Sequence, residues 1–265
     1  VRSLGEVITP RRDGDGYVLD IPDGWQQGRG AYGGLVIGGL VRAIVDAVGD
    51  PARVVRSVTA ELPGPAEVGA APIAVSVLRS GASLSAVRAE LRQGGEPGEV
   101  RAHAVAILAA TRPGTPAWQE LVAPAAPSWR EVTPLVMGAG YPAFAREFEF
   151  RLIEGVPFTG GAPRSLGWIS ARRPGAARDA GYLAAMADAW WPAAMVAFRG
   201  PRPLATISYT LEILGDLAGL DPDAPLLYRA HVPVSADGYF VEARELWGED
   251  GRLIARNHQT FAIIK

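Results

Sequence analysis

The chain predicts an α+β fold in two similar halves, each a buried helix wrapped by an antiparallel sheet. One stretch is written twice: Val87-Arg-Ala-Glu-Leu91 lines up with Glu242-Ala-Arg-Glu-Leu246, and Ala102-His-Ala-Val105 with Asn257-His-Gln-Thr260, in one register without a gap. Self-similarity over so long a separation marks a duplicated domain and not a solenoid of short units. Each half also reads as strand, helix and then several strands, an order that layers a sheet on a helix. A Pro- and Ala-rich stretch separates the two. The expected division is a first half at 1–110, a linker at 111–143 and a second half at 144–265, which holds most of the polar candidates.

In the first half, Tyr17, Leu19 and Ile21 alternate with Val18 and Asp20 and end at Pro22-Asp-Gly24, a short strand. A turn-rich segment, Trp25-Gln-Gln-Gly-Arg-Gly-Ala-Tyr-Gly-Gly34, leads into a helix with the apolar stripe Ile37, Leu40, Val41, Ile44, Val45 and Val48. Gly33, Gly34, Gly38 and Gly39 leave another side of it bare. Glycine inside a helix costs roughly 1 kcal/mol relative to Ala, so four of them imply that a sheet or a ligand comes close to this backbone. Strands follow at Val54 to Leu62, Ile73 to Leu78, Leu84 to Arg92 and Val100 to Ala109. In the third, Val87, Ala89 and Leu91 alternate with Arg88, Glu90 and Arg92, so one face is buried and one wet.

Thr111 to Pro142 contains Pro113, Pro116, Pro124, Pro127 and Pro134, a composition of extended linker chain. The order then restarts with a strand at Phe148 to Leu152. Leu166 to Arg172 is a further strand that the first half lacks or has much shorter. A helix spans Ala180 to Ala194, with Pro192 near its end as a stop or kink. Strands are expected at Ala205 to Leu214, Leu226 to Val232, Tyr239 to Trp247 and Leu253 to Ile264.

Composition narrows the function classes. With 265 residues and 48% hydrophobic content the chain can bury one large core or two moderate ones. A net charge of -2 without a basic stripe argues against nucleic acid or an anionic membrane as the main partner. The absence of cysteine excludes thiolate nucleophiles and cysteine-ligated metals. No signal-peptide pattern opens the chain. Tyr32 to Val48 is too short and too charged for a membrane span, so a soluble cytoplasmic protein is expected. The glycines from Gly28 to Gly34 lack the frame of a nucleotide loop, and no residue cluster suggests a metal, flavin or nicotinamide.

The Gly-Arg-Gly-Ala-Tyr-Gly-Gly start of the first helix, an Asp on the second helix, a Thr opening the next strand and a Gln in the last strand resemble the acyl-CoA thioesterase II family over Tyr17 to Lys265. The resemblance implies a double hotdog, in which two tandem hotdog repeats mimic the dimer of single-hotdog enzymes. It assigns catalytic roles to Asp188, in Met186-Ala-Asp-Ala-Trp-Trp-Pro192; to Thr206, in Leu204-Ala-Thr-Ile207; and to Gln259, in Arg256-Asn-His-Gln-Thr260. It also implies hydrolysis of a hydrophobic acyl-CoA, with no cofactor, and a homodimer or larger symmetric assembly. The chain departs from the family after Thr206, where Ser208-Tyr-Thr210 replaces a charged or histidine-bearing stretch that bears on substrate choice.

The residues support this chemistry. A carboxylate can take a proton from water as it attacks a thioester carbonyl, and Ala187, Ala189 and Trp190 would desolvate Asp188 and raise its basicity. Thr206 and Gln259 can hold the same water. Backbone N–H groups at Gly33 and Gly34, at a helix N-terminus, would meet the oxyanion. An Asp on a helix is ordinarily solvated or capping, a Thr at a strand start is a good β-former, and tryptophans such as Trp190 and Trp191 ordinarily fill a core. A hydratase or dehydratase on the same fold would need a histidine on a helix, whereas His103, His231 and His258 lie outside the helices. His103 and His258 recur in both copies and read as structural. A non-catalytic protein that binds acyl-CoA or an acyl carrier is the remaining alternative.

Overall fold

The computed structural model describes residues 2–264 apart from 139, 177, 216, 218–220, 222 and 223. Lys265, the end of the expected second half, lies outside the described residues. The first half runs α1 (Leu4–Val7), β1 (Arg11–Asp13), β2 (Gly16–Ile21), the short ribbon β3 (Gln26–Gln27) and β4 (Gly30–Ala31), α2 (Gly33–Val48), β5 (Arg53–Glu61), β6 (Gly69–Ser80), β7 (Leu84–Gln93) and β8 (Glu99–Ala110). The second runs β9 (Phe148–Glu154), β10 (Arg164–Ala171), α3 (Ala180–Asp188), α4 (Ala194–Ala197), β11 (Leu204–Ile213), β12 (Leu226–Ala236), β13 (Tyr239–Trp247) and β14 (Leu253–Ile263). Among the described residues no helix is long and apolar enough to cross a membrane.

Twelve strands form one continuous sheet in the order β1-β2-β6-β7-β8-β5-β11-β14-β13-β12-β10-β9. Read toward the centre, β2-β6-β7-β8-β5 and β10-β12-β13-β14-β11 have the same order. The halves join where β5 and β11 pair antiparallel, from Ser208 opposite Glu61 to Glu212 opposite Ser57. Two separate sheets would leave both strands as unpaired edges; fusing them satisfies one edge with the other. By sheet position β10 corresponds to β2, so the strand that the first half has much shorter is not Leu166 to Arg172, as expected, but β9. Its counterpart, β1, has three exposed residues, two of them arginines.

The helices sit inside this sheet against one another. A Cβ on Gly34 would come within 2.9 Å of the Ala185 carbonyl and one on Gly38 within 2.8 Å of the Gly181 carbonyl. Rising numbers on α2 meet falling numbers on α3, so the two run antiparallel with backbones nearly touching. The bare side of α2 therefore faces mainly the other helix; only Gly39 opens toward the sheet, where Leu19 fills the space. Leu35, Ile37, Leu40, Val41 and Ile44 are buried, but Val45 is exposed because the last turn of α2 lies at the surface.

The second helix is shorter than its composition suggests: α3 ends at Asp188 and does not reach Ala194. Pro192 has no N–H for the carbonyl four residues earlier, which is that of Asp188, and its ring clashes there. Trp190 lands in the core as expected, and Trp191 is partly buried against it. The linker also differs from the extended chain expected. It lies along the outer face and edge of the second half, where Leu135 N–H donates to the Phe150 carbonyl at 2.7 Å and Trp168 Nε1 to the Pro127 carbonyl at 3.0 Å. Ala123, Ala126, Trp129 and Val132 cover Leu166, Trp168, Leu227 and Trp247, apolar side chains that would otherwise meet water.

Candidate active site

Asp188 is the last residue of α3, where helix C-terminal carbonyls lose their intrahelical partners. Three other elements supply donors. Tyr209, on β11, donates its hydroxyl to the Ala184 carbonyl at 3.0 Å, and Tyr32, just before α2, donates to the Ala185 carbonyl. Arg244 Nη1, on β13, donates to the Ala187 carbonyl at 2.8 Å. Asp188 thus stands on a helix end tied down from three sides.

The structure brings the predicted polar residues together. Gln259 Nε2 donates to Asp188 Oδ1 at 3.0 Å and to Asn257 Oδ1 at 2.9 Å. Thr206 Oγ1 donates to Gln259 Oε1 at 3.3 Å. Because a carboxylate only accepts, it fixes which end of the amide faces it, and the amide oxygen is left for the hydroxyl. Asn257 Nδ2 in turn donates to the Thr210 carbonyl at 2.8 Å, holding the amide pair on the strands.

The start of α2 faces the same carboxylate. Tyr32 is the N-cap residue and makes no side-chain cap, so the first-turn N–H groups lack a side-chain acceptor from their own cap. The Gly34 N–H favours the charged form of Asp188, and a Cβ on Gly33 would stand 2.9 Å from Asp188 Oδ2. Only glycine leaves room there for the carboxylate.

The Asp188 side chain is 8% exposed. Burial pushes its carboxyl above the ordinary value, and the Arg244 charge, the Gln259 amide and the Gly34 N–H pull the other way. Arg244 Nη1 stands 3.7 Å from Asp188 Oδ1, while its Nε donates to Glu242 Oε1 at 2.8 Å. Glu242 Oε2 accepts from the Ala193 N–H at 2.7 Å, and burial raises this carboxyl too. Burial opposes the Arg244 charge, but Tyr228, Glu242 and Asp188 together outweigh it and hold the guanidinium protonated. Burial likewise lifts Tyr32, Tyr209 and Tyr228 well above the ordinary phenol range, leaving neutral donors.

Around the sequence-derived candidates Asp188, Thr206, Gln259, Gly33 and Gly34 the structure adds Glu242, Arg244, Asn257 and Tyr209, which the sequence alone did not single out, and it gives Tyr32, expected only as part of the turn before the helix, a hydroxyl contact to α3. The signal for three of these lay in the repeat itself: Glu242, Arg244 and Asn257 stand where the first copy has Val87, Ala89 and Ala102. The histidines lie on strands. His103 and His258 alternate with buried neighbours, which turns them to the other face of the sheet, and His103 pairs there with Glu61 at 3.1 Å.

Paired helices inside a curled sheet of this order make the hotdog fold. A conserved protein of unknown function with a hot dog fold from Alicyclobacillus acidocaldarius matches with a TM-score of 0.89 at 23% identity, over 100% of this chain and 99% of that one. The tesB protein of Mycobacterium avium subspecies paratuberculosis matches at 0.80 and 19%, over 99% and 98%. An acyl-CoA thioesterase II of Mycobacterium marinum matches at 0.77 and 19%, over 99% and 98%. Among curated proteins none matches in sequence. The chain belongs to the acyl-CoA thioesterase family: residues 21–110 match the model of the acyl-CoA thioesterase N-terminal domain and residues 118–263 that of the C-terminal domain. It is a thioester hydrolase.

Proposed function

We propose that the chain is a double hotdog, with halves at 1–110 and 144–265 joined by the 111–143 linker, that hydrolyses a hydrophobic acyl-CoA by Asp188-assisted attack of water. The observation that carries this is the chain of contacts from Thr206 through Gln259 to a buried carboxylate beside the glycine start of α2. Water held by Asp188, Thr206 and Gln259 attacks the thioester carbonyl and gives its proton to Asp188. The tetrahedral oxyanion is met by the backbone N–H of Gly33, at the positive end of α2. The N–H of Gly34 serves less directly, because it also favours the charged form of Asp188. The C–S bond then breaks, the CoA thiolate takes the proton back from Asp188, and the free acid leaves. Every step uses side chains and backbone alone, without a cofactor.

The test is thiol release from acyl-CoAs ranging from short to long and aromatic, run on wild type and Asp188→Asn together. Release by wild type that collapses in the variant is expected; equal release by both would remove Asp188 from the mechanism. We also propose that the enzyme is cytoplasmic and pairs with further copies of itself. Sedimentation should report a dimer or larger, and a clean monomer would exclude the pairing.

A further inference from the structure

Glu242 and Arg244 are fully buried charges that the hydrolysis above does not use. Buried ion pairs carry a desolvation penalty that often cancels their attraction, so their presence calls for a reason. The first half supplies an internal control. Val87 and Ala89 occupy the equivalent positions of β7, equally buried, and the strand forms the same pairings. The strand geometry therefore needs neither charge.

What the pair touches is the end of α3. Arg244 Nη1 reaches both the Ala187 carbonyl, at 2.8 Å, and Asp188 Oδ1, at 3.7 Å. Glu242 grips the guanidinium on its other side and also takes the Ala193 N–H, just past the helix. The ionisable groups facing Asp188 are Arg244 from β13, Tyr209 from β11 and Tyr32 ahead of α2, with Tyr228 and Glu242 standing behind Arg244. The cation in this set is Arg244.

We infer that Arg244, locked by Glu242, is a positioning residue that fixes the last turn of α3 and keeps the Asp188 carboxylate charged where water is scarce. This rests on the reading of Asp188 as the base. Arg244 itself stays off the reacting atoms.

The experiment is the pH dependence of kcat/KM for acyl-CoA hydrolysis in wild type, Glu242→Gln/Arg244→Gln and Arg244→Lys. Losing a neighbouring cation favours the neutral carboxylic acid. The acid limb of the neutralised pair should therefore move up by about one pH unit or more, with about tenfold less turnover at pH values below both limbs, where the rate follows the charged fraction. Arg244→Lys, which keeps a charge, should restore the limb. Should the glutamine pair not fold, Glu242→Leu/Arg244→Met fills similar volume with apolar groups and carries the same expectation. An unmoved limb in a folded, neutralised variant overturns the inference. Failure of both pairs to fold also overturns it, since the charges would then be structural. Asp188→Asn run in parallel separates the two readings: full turnover there sinks Asp188 as base, whereas lost turnover with an unmoved limb sinks only the role of Arg244.

Discussion

The inner faces of β7–β8 and β13–β14 are the same surface built twice from opposite materials. Val87, Ala89, Ala102 and Ala104 fill it in the first half; Glu242, Arg244, Asn257 and Gln259 fill it in the second, and all eight are at most 2% exposed. Apolar residues close the first copy with no hydrogen bonds to satisfy. The second copy must pair its polar atoms, since burying one unpaired costs about 1–3 kcal/mol, and it finds partners on α3, on β11 and among its own neighbours. The difference separates what each half needs in order to fold from what one half has added for another purpose. It also argues for a single reaction centre, because the first half offers no counterpart of Gln259.

The largest effect that could break this comparison belongs to Asp188, where the added groups converge. Asp188→Asn keeps the shape and removes the proton acceptor. Thiol release should fall about 10²- to 10⁴-fold, the usual worth of a general base, with KM little changed. A loss confined to KM would mean that Asp188 binds substrate and does not activate water.

Exchanging residues between the copies sharpens it further. Gln259→Ala gives the second half the residue of the first and removes one hydrogen bond to a charged group, worth about 1.5–3 kcal/mol. Turnover should drop about ten- to a hundredfold. The reverse change, Ala104→Gln, forces an amide into a packed apolar site and should cost about 1–3 kcal/mol of stability, leaving turnover per folded molecule as it was. Denaturant unfolding and thiol release on both variants read the two axes. Equal activity losses in the two would dissolve the distinction between the halves.

Acidity gives a smaller, graded signal. Burial holds the folded Asp188 carboxyl above its ordinary value of 3.8, so between the unfolded and folded values the native state binds the extra proton. Stability from this group is full below the unfolded value and is lost as pH rises through the folded one. Asp188→Asn does not titrate, so its melting temperature should gain on wild type from about pH 4 upward. The same raised value places the acid limb of activity above the ordinary Asp range. A stability gap that is flat with pH would mean that the carboxyl is not perturbed.

Much of this was legible beforehand because periodicity and the repeat speak directly to strands and helices. The strands from β5 to β8 and from β11 to β14 follow from alternation, and Asp188, Thr206 and Gln259 from their motif context. The fusion across β5 and β11 was not legible, since strand alternation says nothing of which edge meets which. The end of α3 was legible only in part: Pro192 marked a stop or kink, but alanine and methionine continue a helix readily, and the helix ends four residues ahead of the proline. Arg244 and Glu242 on β13 look like an ordinary wet face, because in most strands alternating charges point to water. Only the helix end beneath them turns that face inward, though setting them against Val87 and Ala89 position by position would have exposed the anomaly.

The smallest effect is expected where the copies agree. His103 and His258 occupy equivalent positions, and alternation places them on the face away from Asp188. A residue kept in both halves serves what the halves share, which is the strand. His103 has an exposed partner in Glu61, and such surface pairs contribute about 0–1 kcal/mol. His103→Ala and His258→Ala should each shift stability by about 1 kcal/mol or less and leave turnover and its acid limb unchanged. A displaced limb in His258→Ala alone would mean that the outer face of β14 takes part in the chemistry, and that the halves differ on both sides of the sheet.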